Sequence, residues 1–81
     1  MINIDVLVPS ISKKYEFTVN ETVKCMICAD EIAELICQKE GYQMENSGAL
    51  AMLNQQDLSI LNMSLSLREN GIVNGDTIII I

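Results

Sequence analysis

The chain has 81 residues, 49 % of them hydrophobic, and carries a formal net charge of −6 at pH 7. This length and composition predict a single small folded domain over residues 1–81 and exclude an intrinsically disordered chain. The negative charge argues against nucleic acids and anionic membrane surfaces as partners, because both present phosphate groups that bind cations. No apolar run approaches the ~20 residues that span a bilayer. Asp5 interrupts the apolar start, so we expect neither membrane insertion nor a signal peptide.

Residues 2–20 show the alternation of a two-stranded hairpin. Isoleucine and valine occupy every second position from Ile2 to Val8. After a turn at residues 9–14, apolar side chains alternate again at Tyr15, Phe17 and Val19. This period of two predicts that one face of the hairpin is buried.

A helix is predicted from about Thr22 to Glu40. Thr22 is a suitable N-cap, Lys39 lies in the last turn, and Gly41 supplies a left-handed stop. A step of 100° per residue places one set of side chains together on the buried side. These residues are Cys25, Met26, Ala29, Ile32, Ala33, Ile36 and Cys37.

The chain beyond the helix is predicted to contain short strands and turns. Its expected elements are a polar loop at 42–48, a third strand at Ala49–Leu53, a shorter fourth at Leu58–Leu61, a helical turn at Ser66–Asn70, a turn at Asn74–Asp76 and a last strand at 77–81. The element order is therefore ββαβ(β)β, which indicates the α+β class.

The last strand is apolar at four consecutive positions, Ile78 to Ile81. A strand with one solvent-exposed face alternates apolar and polar residues, whereas an unbroken apolar run is typical of a central strand. One helix can cover only one face of a small sheet. We therefore expect two of the four isoleucines to lie on the open face.

Two segments carry a resemblance to known proteins. Ser66-Leu67-Arg68-Glu69-Asn70-Gly71-Ile72 resembles the ubiquitin segment in which a leucine and an isoleucine anchor a short helix beneath the core. The sixteen residues SLRENGIVNGDTIIII resemble the YukD/EsaB family of small bacterial ubiquitin-like proteins, which is associated with type VII secretion. The resemblance is strong from about Leu65 onward.

The resemblance implies a fold and a function. The fold is a ubiquitin-like β-grasp, with a mixed sheet of four or five strands, one main helix on one face and a short helical turn near residues 66–70. The function is a non-catalytic, cytoplasmic protein-interaction module, an accessory or regulatory component of a type VII-like secretion system. Its partner is a protein, such as a membrane component of the secretion machine.

The chain end bears on a second activity of this fold. Ubiquitin and the sulfur carriers that share it act through a flexible tail ending in Gly-Gly. Here the sequence stops on the apolar strand at Ile81. We therefore expect neither conjugation to targets nor sulfur transfer.

The candidate partner-binding site is the open face of the sheet, because contiguous apolar patches usually mark interfaces. Its predicted residues are Leu7, Ala51, Leu53, Ile79 and Ile81. Val23 and Ile27, toward the polar side of the helix, form a possible secondary surface. The same open face would also serve a self-associating structural protein as a homodimer interface.

The cysteines leave a further alternative. Cys25 and Cys28 form a C-x-x-C pair near the helix start, as a thiol redox carrier would have. Core packing is the favoured interpretation, because free cysteine behaves as a small hydrophobe. Three thiols, with Cys37, and no histidine do not make a zinc site. No catalytic motif is present, so we expect no enzyme activity, cofactor or metal.

Overall fold

The computed structural model describes residues 1–41 and 51–81. Its elements are β1 (Ile2–Val8), a 3-10 turn (Pro9–Ile11), β2 (Lys13–Val19), α1 (Cys25–Glu40), β3 (Met52–Asn54) and β4 (Thr77–Ile80). The four strands form one mixed sheet in the order β2-β1-β4-β3. The predicted loop at 42–48 and the first two positions of the predicted third strand lie outside the described residues.

The N-terminal hairpin is confirmed. β1 and β2 pair antiparallel from Ile2 opposite Val19 to Val8 opposite Lys13. The 3-10 turn ends where Ser12 adopts a left-handed conformation, with φ of 53°. The alternate side chains of β1 are buried on one face and contribute Ile4, Val6 and Val8 to the core.

Helix α1 begins later than predicted, at Cys25, and the assignment of Thr22 as N-cap is wrong. The Thr22 hydroxyl donates instead to Asn20 Oδ1 at 2.6 Å. Backbone carbonyls from a distant segment take the place of a side-chain cap. Cys25 N–H donates to Leu65 O at 2.8 Å, and Met26 N–H donates to Met63 O at 3.1 Å.

The end of α1 is as predicted. Gly41 has φ of 77°, and its N–H donates to Cys37 O at 2.9 Å. Glycine adopts this left-handed conformation without the steric cost that a Cβ brings.

The buried side of α1 is narrower than predicted. Its buried residues are Cys25, Cys28, Ala29, Ile32, Ala33 and Ile36. Met26 is 46 % exposed and Cys37 is only half-buried, so both assignments to the core face are corrected. Residues spaced three and four apart lie on one face of a helix, and this face of α1 packs against the sheet. Met26 and Cys37 lie at the edges of that face.

The predicted fourth strand is absent from the described residues. β3 pairs antiparallel with β4, but Leu58–Leu61 contributes only a single bridge between Ile60 and Leu53. A tight turn explains this, because Asn54 N–H donates to Ser59 O at 2.9 Å and Leu58 adopts φ of 59°. The turn leaves too few extended residues for a strand.

Residues 66–72 form a hydrogen-bonded turn beneath the core. Ser66 and Glu69 make a reciprocal capping box, in which each backbone N–H donates to the other side chain at 3.1 Å. Leu67 is fully buried and Ile72 is 3 % exposed. The two apolar anchors predicted from the sequence are therefore in the core.

β4 lies in the middle of the sheet, as the isoleucine run predicted. It pairs parallel with β1 and antiparallel with β3. Ile78 and Ile80 are buried beneath α1, while Ile79 is half-buried and Ile81 is 61 % exposed. The result is a mixed sheet with one helix on one face, the α+β arrangement that the resemblance implied.

Candidate protein-interaction surface

Three aliphatic side chains form a row across the face of the sheet that α1 does not cover. Leu7 of β1 lies opposite Ile79 of β4, and Ile79 lies opposite Leu53 of β3. Because Val6 and Val8 point into the core, the intervening Leu7 points to the other face. The structure thus brings together three predicted site residues from three strands.

The two other predicted residues of this face lie beside the row, next to the C-terminal end of β4. Ala51 and Ile81 exchange backbone hydrogen bonds, at 3.1 Å and 3.0 Å, just beyond the β3–β4 ladder. Ile81 is exposed, while Ala51 is half-buried. We call this set the apolar half of the open face; it comprises Leu7, Ala51, Leu53, Ile79 and Ile81.

Sequence reasoning missed one residue of this surface. Ile60 pairs with Leu53 in an isolated antiparallel bridge, so both side chains lie on the same face. Ile60 is 72 % exposed and widens the row beyond the edge of β3. Its neighbour Leu61 is buried. Because both residues are apolar, the sequence carries no signal that separates the exposed one from the buried one.

The remainder of the open face is polar. Asp5 lies opposite Glu16 on one side and opposite Thr77 on the other. Thr18 Oγ1 donates to Asn3 Oδ1 at 2.7 Å. We call this set the polar half of the open face; it comprises Asn3, Asp5, Glu16, Thr18 and Thr77.

The boundary between the two halves carries a cation. Lys14 lies opposite Leu7, and its Nζ lies 3.5 Å from Asp5 Oδ2. A shallow, mainly apolar groove of about 270 Å³ adjoins Leu7 along the turn between β1 and β2, and Pro9 contributes to its wall. A partner on the apolar half would therefore meet aliphatic area in the middle and the ammonium group of Lys14 at the rim.

The predicted secondary surface is only partly exposed. Val23 is half-buried and packs against the core, whereas Ile27 is 46 % exposed. Only Ile27 of this pair therefore presents a largely accessible side chain.

The cysteine pair is buried, which opposes thiol chemistry. Burial raises the pKa of the Cys25 thiol, and burial raises the pKa of Cys28 to about 11. Asn70 Nδ2 donates to Cys25 Sγ at 3.4 Å, a contact that lowers the Cys25 pKa less than burial raises it. A redox carrier needs the reverse, an accessible thiol with a lowered pKa.

Neither a metal-binding cluster nor a membrane-spanning helix occurs in residues 1–41 and 51–81. No three His, Cys, Asp or Glu side chains there are grouped so that they could hold a metal ion. None of the helical segments in this part of the chain is long and apolar enough to cross a membrane.

The fold is a ubiquitin-like β-grasp, and solved structures share it. A ubiquitin-like domain of EccD5 from Mycobacterium xenopi superposes with a TM-score of 0.78 at 14 % identity, covering 99 % of this chain and 91 % of that one. The ubiquitin-like domain of the Mycobacterium tuberculosis type VII secretion system protein ECCD1 gives 0.70 at 13 % identity, covering 100 % and 99 %.

A third similar structure is a chain of an ESX-5 inner membrane complex. It gives a TM-score of 0.77 at 16 % identity over 99 % of this chain, but this chain spans only 20 % of its length. No family model and no curated protein sequence matches the chain. At these identities the likeness establishes the shared fold.

Proposed function

We propose that this protein is a non-catalytic protein-interaction module that docks a partner protein on the apolar half of its open face. One observation carries the proposal, the cross-strand row of Leu7, Ile79 and Leu53 on the face opposite α1. Half-buried aliphatics at the centre of a sheet, with exposed Ile60 and Ile81 beside them, form a contiguous patch. Such patches mark interfaces more often than isolated surface aliphatics do.

The energetics of docking would be concentrated in the middle of the row. Ile79 has an aliphatic neighbour on each side, so a partner side chain placed there contacts several residues at once. Central, well-packed residues dominate binding energy, while residues at the rim mainly exclude water. Lys14 and the polar half would then lie at the rim.

The proposed setting is a type VII-like secretion system, in which the chain is an accessory or regulatory component related to the YukD/EsaB family. Support comes from the shared fold with the EccD5 and ECCD1 ubiquitin-like domains and with part of the ESX-5 inner membrane complex. The proposed partner is a membrane component of that machinery, met from the cytoplasm. This assignment is an argument from fold, so its test must identify the partner.

The test is an affinity capture with two matched lysine variants, Ile79→Lys and Thr18→Lys. Both substitutions add one positive charge to the open face, but Thr18 lies in the polar half, far from the row. Detergent-solubilised membranes and cytosol of the native cell are the source, and captured proteins are identified by mass spectrometry. Amide NMR spectra establish that both variants remain folded.

The expected result is capture of a secretion-machinery protein by the wild type and by Thr18→Lys, with loss in Ile79→Lys. Equal capture by the wild type and both variants would exclude the apolar half as the docking site. The exposed Ile27 would then be the next candidate. Capture of the chain alone, with a mass that rises with concentration, would replace the proposal with a homodimer.

A further inference from the structure

Helix α1 presents two large aliphatic side chains to solvent. Ile27 is 46 % exposed and Leu35 is 50 % exposed. Residues spaced four apart lie on one face of a helix, so Ile27, Glu31 and Leu35 form one row. At a rise of 1.5 Å per residue, the two aliphatics are about 12 Å apart along the helix axis. None of these residues belongs to the buried face of α1 that packs on the sheet.

Three exposed carboxylates lie between the two aliphatics. Asp30 and Glu34 form a second row beside the first, and Glu31 is three residues from Glu34. Neither of the two ion pairs in residues 1–41 and 51–81 involves these carboxylates. Glu34 therefore has two like-charged neighbours on the helix surface and, within the described part of the chain, no cation at ion-pair distance.

This arrangement of like charges destabilises the free helix. Equal charges spaced three or four residues apart repel each other, whereas opposite charges at these spacings stabilise a helix. The helix dipole does not offset the repulsion, because its effect falls off within the first turn and α1 begins at Cys25. A cation of a partner placed beside Glu34 would relieve the repulsion from Asp30 and Glu31 at once. Such charge complementarity also orients a partner during association.

The spread of the charges favours a helix over a single metal ion as the ligand. In the part of the chain that the structure describes, no three acidic, cysteine or histidine side chains are grouped so that they could hold a metal. Cations on a second helix repeat at the same spacings of three and four, so they can match carboxylates distributed over two rows. The same helix would cover the aliphatic side chains at both ends.

We propose that the outer face of α1 binds a basic amphipathic helix of a partner protein. The outer face comprises Ile27, Asp30, Glu31, Glu34 and Leu35. Lysines or arginines of the bound helix lie over the three carboxylates, and its aliphatic side chains contact the isoleucine and the leucine. Because α1 and the apolar half of the open face lie on opposite sides of the sheet, this docking does not depend on docking at the apolar half.

The test uses three synthetic peptides with blocked ends. The first is Ala-Ala-Gln-Leu-Ala-Gln-Lys-Lys-Ala-Gln-Lys-Leu-Ala-Gln-Ala-Ala, which places leucine and lysine on one helical face at the spacings of the outer face. In either orientation its leucines lie opposite the two aliphatics and its lysines lie between them. The second peptide has the same composition, with lysines and leucines distributed around the helix. The third replaces each lysine by glutamate.

Each peptide is titrated into the ¹⁵N-labelled full chain and its variants, at about 0.02 M and about 0.5 M salt. Glu34→Lys and Glu16→Lys are a matched pair, because each reverses one exposed carboxylate and Glu16 lies on β2 in the polar half of the open face. Leu35→Ala removes an aliphatic of the outer face. Its control is Leu58→Ala, since Leu58 is 63 % exposed and lies outside the helix.

The expected result is binding of the first peptide, with amide shifts along α1 and weaker binding at the higher salt concentration. Glu34→Lys and Leu35→Ala, each folded by NMR, should weaken binding about tenfold and about threefold. Glu16→Lys and Leu58→Ala should bind as the wild type does. Ile79→Lys should also bind normally, which separates this proposal from docking on the open face.

Unfolding in urea provides an independent measurement of the repulsion. Glu34→Gln removes the charge and keeps the shape of the side chain. Without peptide, its unfolding midpoint should be higher than that of the wild type at low salt. The difference should disappear near 1 M salt, where the screening length is about 3 Å. The same variant should bind the first peptide more weakly than the wild type does.

Several results would overturn the proposal. These are no binding by the wild type up to about 1 mM of the first peptide, equal binding of either other peptide, or equal binding by Glu34→Lys and Glu16→Lys. Amide shifts confined to Leu7, Leu53 and Ile79 would assign the peptide to the open face instead. A lower urea midpoint for Glu34→Gln would show that this carboxylate stabilises the free fold, which contradicts the repulsion argument.

Discussion

Leu7 and Ile79 are direct neighbours across the parallel ladder between β1 and β4, and both lie on the face opposite α1. Their chain neighbours Val6 and Ile78 are also paired, but on the core face, and both are fully buried. One pair of strands therefore supplies a core contact and a surface contact at consecutive positions. This contrast allows the two roles to be separated by single substitutions.

Alanine substitutions at Ile78 and Ile79 should differ strongly in their effect on stability. Ile78→Ala leaves a cavity under the helix and should lower the free energy of unfolding by about 2–5 kcal/mol. Ile79→Ala removes a half-buried side chain and should cost roughly 1 kcal/mol, mainly in strand propensity. Urea denaturation followed by circular dichroism measures both, and similar losses would contradict the assigned faces.

Ile60 should contribute to docking although it belongs to no strand. If a partner is captured through Ile79, Ile60→Lys should weaken its binding about tenfold, because the substitution places a charge at the end of the row. Leu58→Lys is the matched control, since Leu58 is 63 % exposed and lies two residues away in the preceding turn. Calorimetric titration of the purified partner compares the two variants, and equal affinities would confine the docking surface to the apolar half without Ile60.

Asn70 should be important for stability because its side chain joins three segments. Its Nδ2 group donates to Asn62 O, Ser66 O and Cys25 Sγ, and its Oδ1 accepts from Asn62 N–H at 2.9 Å. Asn70→Ala should lower the free energy of unfolding by about 1–3 kcal/mol, because it leaves partly buried groups unpaired.

Asn70→Asp distinguishes the acceptor Oδ1 of the Asn70 side chain from its donor Nδ2. It keeps an acceptor for Asn62 N–H but loses every donor bond, so we expect it to be destabilised as well. Equilibrium unfolding in urea provides the comparison. A stability equal to that of the wild type in both variants would show that this network is not a determinant of the fold.

The Cys28 thiol should make stability fall at alkaline pH. Burial raises its pKa from 9.0 to about 11 in the folded state. Between these values the unfolded chain releases the proton and the folded chain retains it, so the unfolded state is favoured as pH rises. The contribution is fully present below pH 9 and is lost toward pH 11.

The measurement is the free energy of unfolding between pH 8 and 11 for the wild type and Cys28→Ala. All other side chains are common to both proteins, so the difference between the two curves isolates the Cys28 thiol. A constant difference across this range would contradict a raised pKa. Rapid alkylation of folded Cys28 at neutral pH would independently contradict the raised pKa. It would also favour the alternative function of a thiol redox carrier.

The sequence by itself determined the features that depend on local periodicity. The alternation from Ile2 to Val8 assigned the faces of β1, and the unbroken isoleucine run placed β4 in the middle of the sheet. Gly41 marked the end of α1, because only a residue without a Cβ adopts the left-handed conformation at no steric cost. These predictions needed no knowledge of which segments meet.

Only the tertiary structure decided the features that depend on contacts between distant segments. The start of α1 is set by carbonyls of Met63 and Leu65, so a suitable N-cap residue such as Thr22 was not used. Ile60 joins the open face through one bridge to Leu53, although its own segment forms no strand. Hydrogen bonds between residues far apart in the chain leave no periodic trace in the sequence, and they become visible only when the strands are paired.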